Sequence, residues 1–430
     1  MSFTVLKLEH QEQKFDKMNN LTIKSFRIKN FKAIRDSGTL ELSPLTVFMG
    51  NNGSGKSSFI EALETYQTII KQGLDIAMNR WRGFEQVRNR MNPHELKTLG
   101  DSAYETNPMV FELCQKMDNS IFRANMSVTL GEKQDIFIQS EKLFFEEKLI
   151  VERQTNNAFY FPEIESFDFS APAGSEFSIL SRANSALWAA LSRYVNTIQN
   201  PSSEMRLITW LKSINKNKRF WDSFDWQFLT LNPDRVDTSR VQKRMSGDMR
   251  LNKYGSNLAR YLLNIRRLSP STYDSILKTL QSLLPYAKDL QVVLSTELER
   301  SVYLQLTEGE CKIAEWLLST GTLRTVALLA LLRHPKPPPL IVIEEIENGL
   351  EPRTLHMIVK EIHHIVESGK AQIIVTTHSP YILDLLQLEH IILVERDEMG
   401  QPVFTKPTEQ KALEFWSPGF SSVQKNNFAL

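Results

Sequence analysis

The residues best suited to chemistry in this 430-residue chain are Gly50-Asn51-Asn52-Gly53-Ser54-Gly55-Lys56-Ser57, a complete GxxxxGK[ST] run followed by Ser58. Its glycines let the backbone curl until successive N–H groups face one anion, which makes a phosphate cradle. Lys56 then reaches the outer phosphates of a nucleoside triphosphate, and the Ser57 hydroxyl is offered to Mg²⁺. The expected nucleotide-binding set therefore runs from Gly50 to Ser58. A second candidate is Leu340-Ile341-Val342-Ile343-Glu344-Glu345, an apolar run ending in two acids. The C-terminal end of such a strand is where α/β sheets bind ligands. An acidic pair alone reads as solvated surface; beside the glycine loop, Glu344 is the expected Mg²⁺ ligand and Glu345 the base that orients the attacking water. His378 follows a second apolar run, QIIVTT, where a neutral imidazole touches the outer phosphate. Lys56, Glu345 and His378 form the expected catalytic set, with Ser57 and Glu344 on the metal.

Those residues need a scaffold, and the surrounding pattern supplies one. LTIKSFRIKNFKAI, from Leu21, alternates as a strand does, SGTLELSP reads as a second strand, and LTVFMG is a fully apolar strand. That third strand reads as a sheet edge feeding the glycine loop. The residues after the loop, SSFIEALETYQTIIKQGL, carry apolar positions at helical spacing, so the loop lies between strand and helix. Short strand-like runs between about 109 and 170 predict an attached antiparallel sheet. From Ser178 to Leu290 the pattern turns helical, as in SALWAALSRYVNTI, GSNLARYLLNIRRL and TYDSILKTLQSLL, without the sustained heptads of a coiled-coil arm. After HPKPPP, which cannot continue a helix, come LIVI, a helix and QIIVTT, a β-α-β order that predicts a parallel core. Ser379 and Pro380 are expected to turn the chain into a helix over YILDLL.

Composition narrows the classes. Basic and acidic residues balance at 51 and 50, so net charge makes no case for a nucleic-acid partner. The local run 212–221, KSINKNKRFW, with Lys212, Lys216 and Lys218, suits either a phosphate backbone or a solvated loop. Cys114 and Cys311 match no metal spacing; they fit a reducing compartment and read as buried small hydrophobes. No apolar run is long enough to span a membrane, and residues 1–18 read as a polar leader without a signal-peptide core. A cytoplasmic location is expected.

Taken with Leu318-Ser319-Thr320-Gly321-Thr322 before the acids and Glu347-Asn348-Gly349-Leu350-Glu351-Pro352 after them, these motifs resemble ABC-type ATPases of the RecF/SMC/OLD group. The likeness is to the small armless prokaryotic ATPases of the AAA class, and covers about 20–100 and 250–400. It implies an α/β fold: an ABC-type P-loop ATPase head, with a parallel core sheet plus an antiparallel β lobe, and an inserted mainly helical lobe. The expected divisions are a leader at 1–18, the first part of the head at 19–175, the insert at 176–295 and the rest of the head at 296–430. ATP and Mg²⁺ are the implied cofactors. The resemblance also implies a head-to-tail homodimer, or a higher homo-oligomer, with ATP sandwiched between heads. Ser319 and Gly321 would cross to the ATP of a second copy, where the helix over LRTVALLALL offers its positive end. Asn348 and Gly349 look like the loop lining that interface. Two features depart from the pattern. The family usually has aspartate where this chain has Glu344, so slow, regulated turnover is expected. The conserved glutamine loop has only Gln86 as a candidate, beside Arg88 and Arg90, which suit either phosphate contact or a solvated face.

The stretch after His378 is short for a fused nuclease of the OLD kind. The resemblance therefore implies a separately encoded effector, a nuclease or toxin, in anti-phage defence. A second reading is an ATP-gated DNA repair clamp in the manner of RecF, and a third is a slow ATP switch that scaffolds a partner. The strand-rich N-terminal lobe and large insertion argue against a transporter head.

Overall fold

The chain divides into two units, Met1–Ser43 with Asn52–Asp225 and Val394–Thr405, and Pro44–Asn51 with Trp226–Leu393 and Lys406–Leu430. The computed structural model describes residues 21–89, 107–117, 120–131, 135–153, 158–160, 169–170, 177–181, 222–231, 242–243, 250–295 and 301–407.

The first unit is built on an antiparallel sheet. Its strands are β1 (Leu21–Phe31), β2 (Ile34–Asp36), β3 (Leu40–Glu41), β5 (Met109–Met117), β6 (Ser120–Leu130), β7 (Ile136–Phe145), β8 (Lys148–Arg153), β9 (Ala158–Tyr160) and β10 (Phe169–Ser170). They run in the order β10-β9-β8-β7-β6-β5-β1-β2, with β3 also on β1. Leu113 of β5 faces Ala124 of β6, its neighbour in sequence, on one side and Phe26 of the distant β1 on the other. This is the antiparallel sheet that the alternating pattern predicts. Helix α1 (Lys56–Gln72) lays Phe59 and Tyr66 against Phe26, with ring centroids 5.6 and 6.0 Å away, and Tyr66 against Phe111 at 5.6 Å. Burying these large rings contributes on the order of 2 kcal/mol each and fixes where α1 starts. The short helices α2 (Leu74–Asn79) and α3 (Phe84–Val87) and strand β19 (Pro402–Thr405) complete the unit.

The second unit holds the parallel strands β4 (Leu45–Met49), β11 (Gln227–Leu229), β16 (Leu340–Ile343), β17 (Gln372–Thr377) and β18 (Ile391–Arg396), whose last residues from Val394 belong to the first unit. The order is β11-β16-β17-β4-β18, all parallel. Strand β4 is thus interior, between β17 and β18, and not the sheet edge expected from sequence. All five of its residues are buried, which requires both faces to be covered, and order across a sheet leaves no mark in a single strand. Helices α4 (Leu258–Leu268), α5 (Pro270–Leu283), α6 (Thr320–Leu332) and α7 (Pro352–Glu367) form one core with this sheet. Within α6 every residue from Thr322 on is buried, as an all-round apolar helix must be. Arg333, at its end, donates to Glu361 of α7 at 2.8 and 2.5 Å and to the Ser275 carbonyl of α5 at 2.7 Å. A small antiparallel sheet, β12 (Gln242–Lys243), β14 (Ser301–Glu308), β13 (Ala287–Ser295) and β15 (Cys311–Ala314), adds Leu290, Val302, Leu304 and Leu306 to the core. The 176–295 span therefore contains β11, β12 and β13 as well as α4 and α5.

Two local expectations are corrected. Cys311 is exposed, at the start of a short strand whose first two residues are both exposed, and Cys114 is half-buried on the less buried face of β5. The YILDLL segment is helical, but Pro380–Leu385 is a 3₁₀ helix and not an α-helix. Among the described residues no helix is long and apolar enough to cross a membrane.

Candidate functional site

In the second unit, the C-terminal ends of adjacent parallel strands carry the expected chemistry. Gly50 and Asn51 follow β4, His378 follows β17, and Glu344 and Glu345 follow β16. Pairing of Thr377 with Met49 and of Ile343 with Val375 brings these ends to one edge of the sheet. The Glu344 carboxylate accepts from the Thr230 hydroxyl at 2.8 Å, just past β11. Glu345 is exposed and has φ +47, a left-handed backbone that costs a non-glycine residue on the order of 1 kcal/mol. Its N–H donates to Thr376 Oγ1 at 2.9 Å, and its carbonyl accepts from Arg324 Nη2 at 2.5 Å. Asn348 closes the turn: its N–H reaches the Glu345 carbonyl at 3.0 Å and its amide lies 3.4 Å from Glu345 Oε2. Glu347 Oε1 accepts from the His378 N–H at 2.8 Å and lies 3.0 Å from His378 Nδ1. That contact places the ring proton on Nδ1 and leaves Nε2 for a ligand.

Ser319 caps α6. Its hydroxyl accepts from the Thr322 N–H at 3.1 Å and shares a hydrogen bond with Thr322 Oγ1 at 2.8 Å. Ser319 and Thr320 are exposed, so the helix start, with its positive end, is accessible. Gly321 packs against the turn after the acids, where a Cβ would come within 2.6 Å of the Gly349 carbonyl oxygen. One turn on, Arg324 is only 4% exposed. It donates to the carbonyls of Leu231 and Glu345, and more weakly to that of Glu344 at 3.4 Å. Burial pushes its guanidinium down to about 10, against the pull of Glu347 and Glu345, so it stays charged at neutral pH.

In the first unit, Lys56 opens α1, with Gly55 as its N-cap in a left-handed conformation. Among the described residues no side chain caps this end, and its first turn has no acid, so its dipole presents an uncompensated positive end. Lys56 is buried, Ser57 exposed and Ser58 half-buried. Gly55, at φ +119, lies so close to Pro402 that a Cβ would come within 2.7 Å. Arg396 Nε and Nη2 both donate to the Gly53 carbonyl, at 2.9 and 2.6 Å, and its Nη1 donates to Gly400 O. The loop segment is thus gripped from the β18 end and β19. Asn52 and Gly53 are exposed and Ser54 buried.

Gln86 is exposed on α3, and Arg88 pairs with Glu85 at 3.2 Å. Arg90, Lys212, Lys216 and Lys218 lie outside the described residues. Sequence reasoning missed Thr230, Arg324, Thr376, Arg396 and Pro402. Only Arg324 left a signal, being a charge inside the apolar run LRTVALLALL, which demands buried partners.

A model of the family described as "AAA domain, putative AbiEii toxin, Type IV TA system" matches residues 45–384. Comparison with curated proteins gives no match. Among solved structures the chain is similar to an SmcHead bound to the C-winged helix domain of ScpA, at 12% identity and TM-score 0.47, covering 89% of this chain and 97% of that one. It is also similar to the SMC head domain from Thermotoga maritima, at 15% identity and TM-score 0.39, covering 89% and 98%. A third is the Smc head domain with an extended coiled coil bound to the C-terminal domain of ScpA from Pyrococcus furiosus, at 13% identity and TM-score 0.42, covering 90% and 96%.

Proposed function

The chain belongs to the AAA-domain family whose model spans residues 45–384, and on that premise we propose that it is an ABC-type ATPase head that binds Mg-ATP and hydrolyses it slowly. The observation that carries this reading is the shared edge of the parallel sheet, where the turns after β4, β17 and β16 present Gly50 and Asn51, His378, and Glu344 with Glu345. Sheets of this kind bind ligands at that edge.

Each residue then has a role. Backbone N–H groups of Gly50 to Ser58 and the start of α1 cradle the phosphates, with Lys56 supplying a cation. Ser57 and Glu344 would be the protein ligands of Mg²⁺, a small oxygen set of the kind this ion takes alongside substrate phosphates. When bound, Mg²⁺ neutralises phosphate charge. Glu345 accepts the proton of the attacking water and holds it on its carboxylate. His378, fixed through Nδ1 by Glu347, turns Nε2 toward the outer phosphate. Glu344 is one methylene longer than the usual aspartate and is engaged by Thr230, which favours slow turnover.

Ser319 and Gly321, at the exposed start of α6, serve the ATP of a second copy, making the site composite and the working form a homodimer or higher homo-oligomer. The ATPase in turn controls a separately encoded effector, a nuclease or toxin, in anti-phage defence.

Mass measurement of the full chain with and without ATP tests the composite site. Ser319→Arg should retain ATP binding while losing ATP-dependent dimerisation and hydrolysis, and unchanged turnover in that variant would remove the site. Co-purification with genomic neighbours tests the effector. A bound partner whose toxicity depends on Lys56 is expected; toxicity of this chain expressed alone would overturn the assignment.

A further inference from the structure

Glu345 must aim a carboxylate from a backbone that prefers to be elsewhere. At φ +47 its side chain leaves the turn in a direction that neither a right-handed nor an extended residue would give it. Such a residue stays left-handed only if its flanking peptide groups are held. Both are. The N–H side is bonded to Thr376 Oγ1 at 2.9 Å, and Thr376 is itself buried in β17. The carbonyl side is bonded to Arg324 Nη2 at 2.5 Å, and the same nitrogen lies 3.4 Å from the Glu344 carbonyl. Arg324 cannot drift, because its Nη1 is tied to the Leu231 carbonyl past β11.

Packing alone does not call for an arginine here. A leucine or methionine would fill an apolar helix without the cost of burying a charge. A guanidinium supplies several donors in a fixed plane, and here Nη1 and Nη2 reach three backbone carbonyls. Water is excluded around it, so these bonds act at low local dielectric and hold more firmly than surface ones. Its position on the chain adds a second consequence. Arg324 is five residues after Ser319 on the same buried helix, and Gly321 of that helix abuts the Gly349 carbonyl. The start of α6 and the turn that carries Glu345 are therefore joined at two points, Gly321 and Arg324.

We propose that Arg324, with Thr376, is a positioning residue for ATP hydrolysis, locking Glu345 in its left-handed backbone and tying its aim to the helix that begins at Ser319. The proposal rests on the reading of Glu345 as the base. Arg324 touches no substrate; it acts through the Glu345 peptide.

The test separates aim from binding by measuring ATP affinity, kcat and KM on the full-length chain. Arg324→Ala should lower kcat on the order of 100-fold, the effect of misplacing a reacting group by about 1 Å, while ATP affinity stays within about threefold of wild type. Arg324→Lys, which keeps a buried cation but only one donor nitrogen, should recover part of that loss. Thr376→Val keeps the shape and removes the acceptor, and should lower kcat about tenfold; Thr376→Ser restores the oxygen and should recover most of it. If Arg324→Ala fails to fold, the Thr376→Val and Thr376→Ser pair decides, since the two differ at the acceptor hydroxyl. Wild-type kcat in Thr376→Val, or an equal loss of kcat and ATP affinity in the folded variants, would overturn the proposal. A wild-type chain that neither binds nor hydrolyses ATP would instead sink the reading beneath it.

Discussion

The part of the glycine loop from Asn52 on, in the first unit, and the acidic turn of the second are each held by an arginine that donates to backbone carbonyls, but in opposite surroundings. Arg396 is exposed and grips Gly53 across 343 residues of sequence. Arg324 is buried and grips Leu231, Glu344 and Glu345. In water a hydrogen bond is worth about 1 kcal/mol net, whereas a buried one is stronger and leaves costly orphans when broken. The loop also depends less on its clamp, since its glycines already permit the curled backbone. The acidic turn asks Glu345 to take a left-handed conformation, and only its neighbours make that tolerable. On the proposed reading, binding is encoded mostly within one short segment and turnover in the packing around another.

The comparison breaks or sharpens under four substitutions. Lys56→Ala should have the largest effect, weakening ATP binding at least about 100-fold by removing a charge-assisted contact to phosphate; nucleotide titration showing wild-type affinity would end the loop assignment. Gly321→Ala forces a methyl group to within 2.6 Å of the Gly349 carbonyl. It should cost about 1–3 kcal/mol of stability and lower kcat more than ATP affinity, read by melting and steady-state kinetics. Arg396→Ala should raise the ATP Kd about tenfold or less, as for loss of a solvent-exposed clamp, with kcat nearly kept. That is the mirror of Arg324→Ala, and the contrast between regions fails if both act on the same parameter.

The smallest effect depends on pH. Burial pushes the Glu315 carboxyl, just before Ser319, up to about 7 from 4.5, partly offset by the Leu304 N–H that it accepts at 2.9 Å. A buried acid whose folded value is raised costs nothing below the unfolded value. Its penalty grows as pH rises from about 4.5 to 7 and is complete above that. Glu315→Gln should therefore raise Tm at pH 8 and leave it nearly unchanged at pH 4.5. An equal shift at both would show that the buried charge carries no cost.

How legible these regions were in the sequence follows from the same physics. The placement of the glycine loop, the acids and His378 at strand ends could be read directly, because each follows an apolar run and the loop's spacing is contiguous. The antiparallel sheet was legible from alternation, and the parallel core from two apolar runs flanking a helix. What holds the backbone was not. Any donor suits a carbonyl, so Arg396, Thr230 and Thr376 leave no pattern, and their partners are distant in sequence. Strand β4 was legible as a buried strand but not as an interior one, since position within a sheet is set by pairing with β17 and β18. Cys311 and the 3₁₀ segment at Pro380–Leu385 show the same limit, because short strands and single turns take their exposure and geometry from tertiary context.

The account turns on Glu345 as the base, and Glu345→Gln tests it most directly through ATP affinity, turnover and mass measured on one preparation. It predicts wild-type ATP affinity, turnover reduced at least about 100-fold, and an ATP-bound dimer that accumulates and persists. Hydrolysis at the wild-type rate, or loss of ATP affinity together with turnover, would contradict it.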